Sequence, residues 1–143
     1  MIIVSACLAG CECRYDGKGQ ADERVVELIS RGEAHPVCPE QLGGLTTPRE
    51  PCEIRLSKGQ VTVVTKDGED RTSEFRLGAE RTLAIAKALG ATKAILKAKS
   101  PSCGRDMVYD GSFSGTLTGG RGLTADLLMK HGIKVLTEKE ELV

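Results

Sequence analysis

The sequence predicts an α/β fold: one mainly parallel sheet with helices on both faces, in a Rossmann-like arrangement with a small β-hairpin. Strand-like and helix-like segments alternate along the chain, which is typical of parallel α/β sheets. Several of the strand-like segments are short, uninterrupted apolar runs, as expected for strands buried on both faces. The length of 143 residues suits one domain over residues 1–143 with a substantial core.

The first half of the chain supplies two strands, a helix and the hairpin. Residues 1–6 (MIIVSA) form a short apolar run that predicts a buried strand. A helix is predicted over residues 21–32, where apolar residues form one face and Gly32 marks the end. Residues 34–38 (AHPVC) predict a second short strand. Residues 53–68 contain two β-rich runs around a Lys-Gly turn, which predicts a hairpin.

The second half of the chain continues the alternation. Residues 72–89 have apolar side chains at helical spacing and are followed by a glycine that fits a helix end. A strand is predicted over residues 92–98, followed by a turn-rich loop over residues 100–115. The last helix is expected over residues 122–132 and the last strand over residues 133–137.

Composition excludes several classes of protein. Twenty basic residues balance twenty acidic ones, so no overall charge favours DNA, RNA or an anionic membrane surface. Two Phe, two Tyr and no Trp are too few for the stacking platforms of single-strand-binding proteins. No apolar run approaches the roughly 18 residues that span a bilayer.

The amino terminus superficially resembles the cleavage site of a bacterial lipoprotein. Only MIIVSA precedes Cys7, and none of these residues is basic, so a secretory signal is not predicted. We therefore expect a cytoplasmic protein. In a reducing compartment, six cysteines favour metal binding or catalysis over a disulfide framework.

Three of the cysteines lie at, or shortly after, the ends of predicted strands: Cys7, Cys38 and Cys103. The carboxyl ends of parallel strands meet at one edge of a sheet, where ligands bind. The other three cysteines lie in loops or in a less certain segment: Cys11, Cys13 and Cys52. The spacing C-x3-C-x-C over residues 7–13 matches neither a zinc knuckle nor a ferredoxin motif. Local ligation by this cluster and buried structural thiols both remain alternatives.

Four stretches of the sequence resemble a bacterial and archaeal family, long catalogued as a domain of unknown function, that includes the thiouracil desulfidases. They are VSACLAGCECRYDG (4–17), PVCPEQLGG (36–44) with TPREP (47–51), KSPSCG (99–104) and VYDGSFSGTLTGGRGLTADLL (108–128). The matching stretches run from near the first residue to near the last, so the resemblance covers the whole chain.

The resemblance implies a 4Fe–4S cluster with three cysteine ligands, Cys7, Cys38 and Cys103, and one iron open to substrate. Thiolates are soft ligands that favour iron–sulfur clusters. An open iron acts as a Lewis acid that polarises a carbon–sulfur bond, after which water adds at carbon and sulfur leaves as hydrosulfide. The reaction that the resemblance implies is hydrolytic and requires no net redox change.

The resemblance also implies catalytic roles for Glu40 and Ser100. Glu40 lies two residues after Cys38 and is the candidate base that activates water, because burial raises the pKa of a carboxyl group towards the useful range. Glu40 is equally placed to be an acidic residue at a helix start. Ser100 is assigned to proton transfer and substrate handling, and it is equally placed as a turn residue before Pro101.

Four further residues are predicted to bind substrate: Arg14, Asp16, Arg49 and Ser102. An arginine suits this role because its paired donors match a uracil carbonyl or a phosphate. For Arg14 and Asp16, an ion pair that orders the loop is an alternative. The glycine-rich segment over residues 115–128 lacks the spacing of a nucleoside-triphosphate site and is expected to let the backbone pass close to the ligand.

The predicted substrate is a thiolated pyrimidine: 2- or 4-thiouracil, thiouridine, or 4-thiouridine within RNA. Balanced charge favours a small molecule, although a basic group near the Cys103 loop would suit tRNA: Lys93, Lys97, Lys99 and Arg105. A DNA or membrane partner is not expected, and the sequence does not indicate an oligomeric state. Two alternatives are an iron–sulfur module that carries or senses sulfur without catalysis, and a structural zinc domain.

Overall fold

The structure is a computed structural model that describes residues 1–142. Within these residues, strands and helices alternate as the apolar periodicity predicts. The strands are β1 (Ile2–Ser5), β2 (Ala34–Val37), β3 (Cys52–Ser57), β4 (Gln60–Thr65), β5 (Lys93–Leu96), β6 (Met107–Tyr109), β7 (Leu117–Gly119) and β8 (Lys134–Thr137). The α-helices are α1 (Glu23–Ser30), α2 (Pro39–Leu42), α3 (Thr72–Leu89) and α4 (Leu123–Lys130). A short 3-10 helix over Ala6–Ala9 follows β1.

The main sheet contains four parallel strands in the order β2-β1-β5-β8. Ser5 pairs with Val37, and Leu96 pairs with Thr137, so the carboxyl ends of the strands lie at one edge. The edge position of β2 suits Pro36, which cannot donate a hydrogen bond to a second neighbouring strand. The predicted α/β fold class is confirmed.

Helices cover both faces of this sheet. Neighbouring residues in a strand point to opposite faces, and in β1 they belong to different cores. Ile3 packs in a cluster that includes Leu83 of α3 and Leu128 of α4. Val4 packs in a second cluster that includes Val25 of α1. The β1 strand is therefore buried on both sides, which explains its continuous apolar sequence.

The predicted hairpin consists of β3 and β4, whose antiparallel register pairs Cys52 with Thr65 and Ser57 with Gln60. Its turn residues Lys58 and Gly59 have φ values of 52° and 78°, the left-handed conformation that tight hairpin turns require. The prediction of a loop over all of residues 100–115 is wrong, because Met107–Tyr109 form β6, which pairs with β7. Each of these strands has three residues, too few for a periodic pattern.

The α2 helix was not predicted, and it positions the segment that follows β2. It has four residues and begins with Pro39, a favourable first helical residue. Its backbone touches α3 at two glycines. A Cβ atom on Gly78 would lie 2.0 Å from the carbonyl oxygen of Pro39, and one on Gly43 would lie 1.9 Å from that of Glu74. The two helices approach this closely only because both positions lack a side chain.

Helix α3 buries one face against the rest of the protein. In α3, residues such as Phe75, Leu83 and Ala86 face the protein interior, at the helical spacing predicted from the sequence. Helix α3 ends at Gly90, whose φ of 65° is left-handed and terminates the helix.

In residues 1–142, no helix combines the length and the apolar character needed to cross a membrane.

Candidate functional site

A cavity of about 410 Å³ lies at the edge of the sheet where β1, β2 and β5 end. Ser5 and Cys7 border it at the end of β1, Val37 and Cys38 at the end of β2, and Lys97 after β5. The chain passes from β1 to β2 on one side of it, and later returns through α3 to β5 on the other side. The cavity therefore lies at the point where the strand order reverses, the usual ligand site of such sheets.

The cavity brings together nearly all the residues predicted from the sequence to form a site. Among the described residues, every predicted site residue except Asp16 lines it: Cys7, Arg14, Cys38, Glu40, Arg49, Ser100, Ser102 and Cys103. These residues come from three separate segments of the chain. Their common location follows from the parallel strands and the loops that extend from them.

The cysteines are concentrated at the cavity. All six are free thiols, and Cys7 and Cys103 are 7% and 4% exposed. Cys13 and Cys52 also line the cavity, although the sequence analysis set them apart from it. Cys11 is exposed on the surface. The structure thus separates Cys11 from Cys13 and Cys52, the other two cysteines outside the predicted ligand set.

Burial and neighbouring groups act differently on the cavity thiols. Burial raises the pKa of Cys7 to about 11, although the charge of Lys97 opposes this. Burial also raises the pKa of Cys103 to about 12, although a hydrogen bond from Ser5 opposes this. The Ser5 hydroxyl donates to Cys103 Sγ over 3.2 Å. These two thiols favour the neutral form unless a cation binds them.

Cys38 has the opposite tendency. The neighbouring Cys13 thiol lowers the pKa of Cys38, and the pKa of Cys13 is raised in turn. Cys38 Sγ lies 3.8 Å from the backbone carbonyl oxygen of Cys13. The amide of Gln41, in the first turn of α2, also stabilises the Cys38 thiolate. Cys38 is therefore the cavity thiol that ionises most readily, and Cys13 is its direct neighbour.

The donor set at the cavity has the chemistry that an iron–sulfur cluster requires. Within residues 1–142, no three His, Cys, Asp or Glu side chains are arranged to hold one metal ion. The ligands of a 4Fe–4S cluster bind to different irons, and they stand farther apart than the ligands of one ion. Soft thiols at the ends of β1 and β2 and after β5, around one cavity, are the ligand type that such clusters require.

Glu40 is held at the cavity by two partners. Arg49 donates from Nε to Glu40 Oε1 over 3.0 Å, and Ser102 donates from Oγ to Glu40 Oε2 over 2.9 Å. The side chain is 17% exposed. Each carboxylate oxygen can accept a second hydrogen bond. Glu40 lies in the first turn of α2, as the alternative interpretation expected, and its carboxylate also lines the cavity.

Arg49 is buried and largely committed to protein acceptors. In addition to its bond to Glu40, it donates to the carbonyl oxygens of Thr46 and Cys13 and to the hydroxyl of Thr47. Its side chain is 8% exposed. These contacts join the segment after α2 to the loop that follows β1, and they fix the position of the Glu40 carboxylate.

Ser100 and Ser102 form a hydrogen-bonded chain that leads to Glu40. The Ser100 oxygen accepts from the amides of Ser102 and Cys103 over 3.1 and 3.0 Å. The two hydroxyl oxygens lie 2.9 Å apart. Because Ser102 donates to Glu40, the proton between the two serines comes from Ser100. Each hydroxyl in the chain therefore donates to the next group: Ser100 donates to Ser102, and Ser102 donates to the Glu40 carboxylate.

Arg14 and Asp16 form the loop ion pair that the sequence analysis gave as an alternative, with 4.0 Å between their charged atoms. Asp16 also accepts from the amide of Lys18. Arg14 lies over the ring of Tyr15, 5.8 Å from its centre, and lines the cavity. Asp16 thus orders the loop, and Arg14 is the member of the pair that a ligand in the cavity can contact.

The four basic residues near the Cys103 loop do not act as one charged group. Lys93 begins β5 at the opposite edge of the sheet from Lys97. Lys97 pairs with Glu138 over 2.8 Å, and Arg105 pairs with Asp106 and Glu140. Lys99 lines the cavity. Carboxylates in the same protein therefore neutralise two of the four charges.

The sequence analysis missed the pair formed by Lys97 and Glu138. Both follow the ends of neighbouring parallel strands, so the rule that selected the cysteines would have found them. Glu138 is 6% exposed. Burial alone would raise the pKa of Glu138, but the Lys97 ammonium and the amide of Ala98 lower it below its ordinary value.

Comparisons with known proteins agree with this site. The model of a family described as 2-thiouracil desulfurase matches residues 2–140. The uncharacterized protein YbbK of Bacillus subtilis (strain 168) is 46% identical over 146 residues, which cover 98% of this chain and 97% of that protein. A solved structure titled as the 4Fe-4S-dependent thiouracil desulfidase TudS matches with a TM-score of 0.89 and 45% identity, covering 96% of this chain and 90% of that one.

Proposed function

Because the chain belongs to the 2-thiouracil desulfurase family, we propose that it is an iron–sulfur enzyme that removes sulfur from thiolated pyrimidines by hydrolysis. The observation that supports this most directly is the cavity itself. It combines cysteine thiols from three strand ends with a carboxylate that is held in place by Arg49 and Ser102. The family resemblance found in the sequence is confirmed by the family match.

The proposed ligands of a 4Fe–4S cluster are Cys7, Cys38 and Cys103. All three line the cavity and follow the parallel strands β1, β2 and β5. Binding iron would deprotonate the buried Cys7 and Cys103 thiols, because a coordinating thiol loses its proton. When bound, a cluster with three protein ligands would supply a Lewis-acidic iron for the sulfur of a thiocarbonyl group.

Glu40 is the proposed general base. Its carboxylate accepts a proton from the water that attacks the thiocarbonyl carbon, while Arg49 and Ser102 keep the two oxygens in fixed directions. The carbon–sulfur bond breaks and a carbon–oxygen bond forms. The products are the pyrimidine carbonyl and hydrosulfide, so oxygen replaces sulfur without net oxidation or reduction.

The proposed role of Ser100 and Ser102 is to move and hold protons beside Glu40. The directed chain from Ser100 through Ser102 donates a hydrogen bond to Glu40 Oε2 and holds that oxygen in place. Arg49 was predicted to contact substrate, and we now propose that it positions Glu40 instead, because most of its donors already bind protein oxygens. Arg14 remains the proposed substrate contact.

The size of the cavity favours a small substrate. A volume of about 410 Å³ falls within the range of roughly 300–1,000 Å³ that is usual for small-molecule sites. Lys97 and Arg105, which would suit an RNA backbone, are paired with carboxylates. We therefore propose a free thiobase or a thionucleoside as substrate in preference to tRNA.

The test is an assay on protein reconstituted with iron and sulfide without oxygen. The substrates are 2-thiouracil, 4-thiouracil and 4-thiouridine, and a zinc-loaded sample is the matched control. We expect hydrosulfide and the corresponding oxygenated pyrimidine in equal amounts, with the new oxygen derived from isotope-labelled water. A loaded cluster without turnover would favour the carrier or sensor alternative. Tight binding of about one zinc in place of iron would favour the structural zinc domain.

A further inference from the structure

Aromatic side chains are concentrated at the cavity. The chain has two Tyr and two Phe and no Trp. Phe75 is 1% exposed and belongs to the protein core. The other three, Tyr15, Tyr109 and Phe113, all line the cavity. Every aromatic ring outside the core therefore borders the place where a planar pyrimidine is proposed to bind.

Phe113 is held in an unusual backbone conformation. Its φ is 56°, in the left-handed region that bulky side chains rarely adopt. Such a conformation is unfavourable and persists only where surrounding contacts enforce it. It is found most often at binding sites and active sites. The conformation of Phe113 therefore calls for a functional explanation.

The contacts that enforce it come from strand β3. Glu53 Oε1 accepts from the amides of Gly111 and Phe113 over 3.0 and 3.1 Å. Arg55 Nε donates to the carbonyl oxygen of Gly111 over 2.7 Å. The Arg55 guanidinium also lies over the Phe113 ring, 5.6 Å from its centre. One strand thus fixes both the backbone and the ring of Phe113.

Gly111 allows this loop to lie against β3. A Cβ atom at this position would lie 2.7 Å from the carbonyl oxygen of Ile54 and 2.5 Å from Cγ of Arg55. Its φ of 89° is also a conformation that favours glycine. The backbone of this loop therefore packs directly against β3, and this contact fixes the position of Phe113.

We propose that Phe113 provides the surface on which the substrate's pyrimidine ring stacks, and that Glu53 and Arg55 are positioning residues that hold it there. The inference rests on the proposed function and deepens it, because it identifies a residue that selects planar heterocycles. Arg55 covers one face of the ring, so the part of the ring that lines the cavity is the surface left for a ligand. Stacking of a base on an aromatic ring is tolerant of its substituents, which suits several thiolated pyrimidines.

The test compares four variants at one position in the loaded enzyme: Phe113→Tyr, Phe113→Leu, Phe113→Ala and Phe113→Gly. We expect Phe113→Tyr to keep near-normal affinity because it keeps a ring. The other three should raise KM for 2-thiouracil, and the Kd of uracil measured by calorimetry, by about 5- to 150-fold, the loss of one stacking contact. The value of kcat should change less than KM.

Thermal unfolding separates this role from a purely structural one. Glycine adopts a φ of 56° without strain, so Phe113→Gly should be at least as stable as Phe113→Ala while binding equally poorly. Glu53→Gln keeps an oxygen acceptor but loses the charge, and it should raise KM by a smaller factor. Leu56→Ala, on the same strand and 77% exposed in the native protein, is the control that should leave KM unchanged.

The outcomes distinguish this inference from the proposed function. Wild-type protein with a loaded cluster and no turnover of any thiopyrimidine would overturn both. An active wild type together with unchanged KM and Kd in Phe113→Ala and Phe113→Leu would overturn the stacking role alone. Iron content is measured in every variant, and weak binding at normal iron content in Phe113→Gly supports the proposal.

Discussion

Ser102 Oγ lies 2.9 Å from Glu40 Oε2, and this hydrogen bond joins two segments through residues that are 62 positions apart in the sequence. One segment follows β2 and contains Cys38, and the other follows β5 and contains Cys103. The bond therefore connects the neighbourhoods of two proposed cluster ligands. It also fixes the carboxylate that we propose as the general base. The positions of Cys38, Cys103 and Glu40 relative to one another therefore depend on the same hydrogen bond.

Replacing Glu40 by Gln should separate catalysis from cluster binding. The amide keeps the size of the side chain, and its oxygen can face Arg49 while its nitrogen faces Ser102. The cluster should load normally and substrate should still bind, while turnover falls roughly 10²- to 10⁴-fold, the usual contribution of a positioned base. The measurement is steady-state release of hydrosulfide at known iron content.

The matched control for this change is Glu50→Gln, an exposed acidic residue close by in the sequence. It should behave as wild type. Near-normal turnover in Glu40→Gln with an intact cluster would remove Glu40 from the mechanism. Loss of the cluster in that variant would instead make Glu40 a support for the Cys38 loop.

Replacing cysteines one at a time should identify the cluster ligands. Serine at position 7, 38 or 103 should abolish the cluster, because a soft thiolate ligand is lost. Serine at position 11, 13 or 52 should leave most of the iron in place. Iron and sulfide analysis of anaerobically loaded protein should give about four of each per chain for wild type.

Cys13→Ser is the most informative member of this series. The backbone carbonyl oxygen of Cys13 lies 3.8 Å from Cys38 Sγ, and Cys13 lines the cavity, so its thiol is the best placed of the three to substitute for a ligand. Cys13→Ser keeps this backbone contact and nearly the size of the side chain, and we expect iron retention close to that of wild type. Complete loss of iron in this variant would show that our ligand set is wrong.

Replacing Gly78 by Ala should destabilise the α2–α3 contact. The added Cβ atom would lie 2.0 Å from the carbonyl oxygen of Pro39, so α2 must move away from α3. We expect a loss of about 1–3 kcal/mol in the free energy of unfolding, typical of overpacking, and weaker retention of iron because α2 follows Cys38. Chemical denaturation and iron analysis measure the two effects.

Gly119→Ala is the control for this substitution. A Cβ atom at Gly119 meets no heavy atom within 4 Å, and Gly119 does not have a left-handed φ. Its stability should match that of wild type within about 0.5 kcal/mol, as for ordinary surface changes. Equal losses in both variants would show that glycine flexibility, and not the contact between the helices, determines the result.

The pair formed by Lys97 and Glu138 should make stability depend on pH. The pKa of Glu138 in the folded protein lies below its ordinary value of 4.5. Its stabilising contribution is therefore fully present above about pH 4.5 and is lost as the pH falls through the lower pKa of the folded state. At pH 7, Glu138→Gln should cost about 1–3 kcal/mol, because Lys97 loses its carboxylate.

This difference should shrink as the pH falls below 4.5 and disappear below the lower pKa of the folded state, where wild-type Glu138 is also neutral. The measurement is urea denaturation of metal-free protein at a series of pH values, since acid decomposes iron–sulfur clusters. Glu27→Gln removes an exposed ion pair with Arg31 and should have little effect at any pH. A pH-independent loss in Glu138→Gln would exclude ionisation of Glu138 as the cause.

Much of the fold was predictable because it depends on local periodicity. The helix predicted over residues 72–89 has the bounds of α3, and the four short apolar runs are the four strands of the main sheet. The elements that were missed are all short: the four-residue 3-10 helix and α2, and the three-residue β6 and β7. Segments of that length complete no apolar period, and their formation depends on contacts with the rest of the protein.

By itself, the sequence determined the order of strands and helices and the position of three cysteines at strand ends. Parallel strands bring their carboxyl ends to one edge, so Cys7, Cys38 and Cys103 were predictable as neighbours without knowledge of the packing. Only the tertiary structure decided that Arg49 holds Glu40, that Cys13 contacts Cys38, and that β3 holds Phe113 at the cavity. These contacts join loops and strands from distant parts of the chain. No local pattern encodes such contacts, because they form only when the packing of the sheet, helices and hairpin sets the distances between the loops.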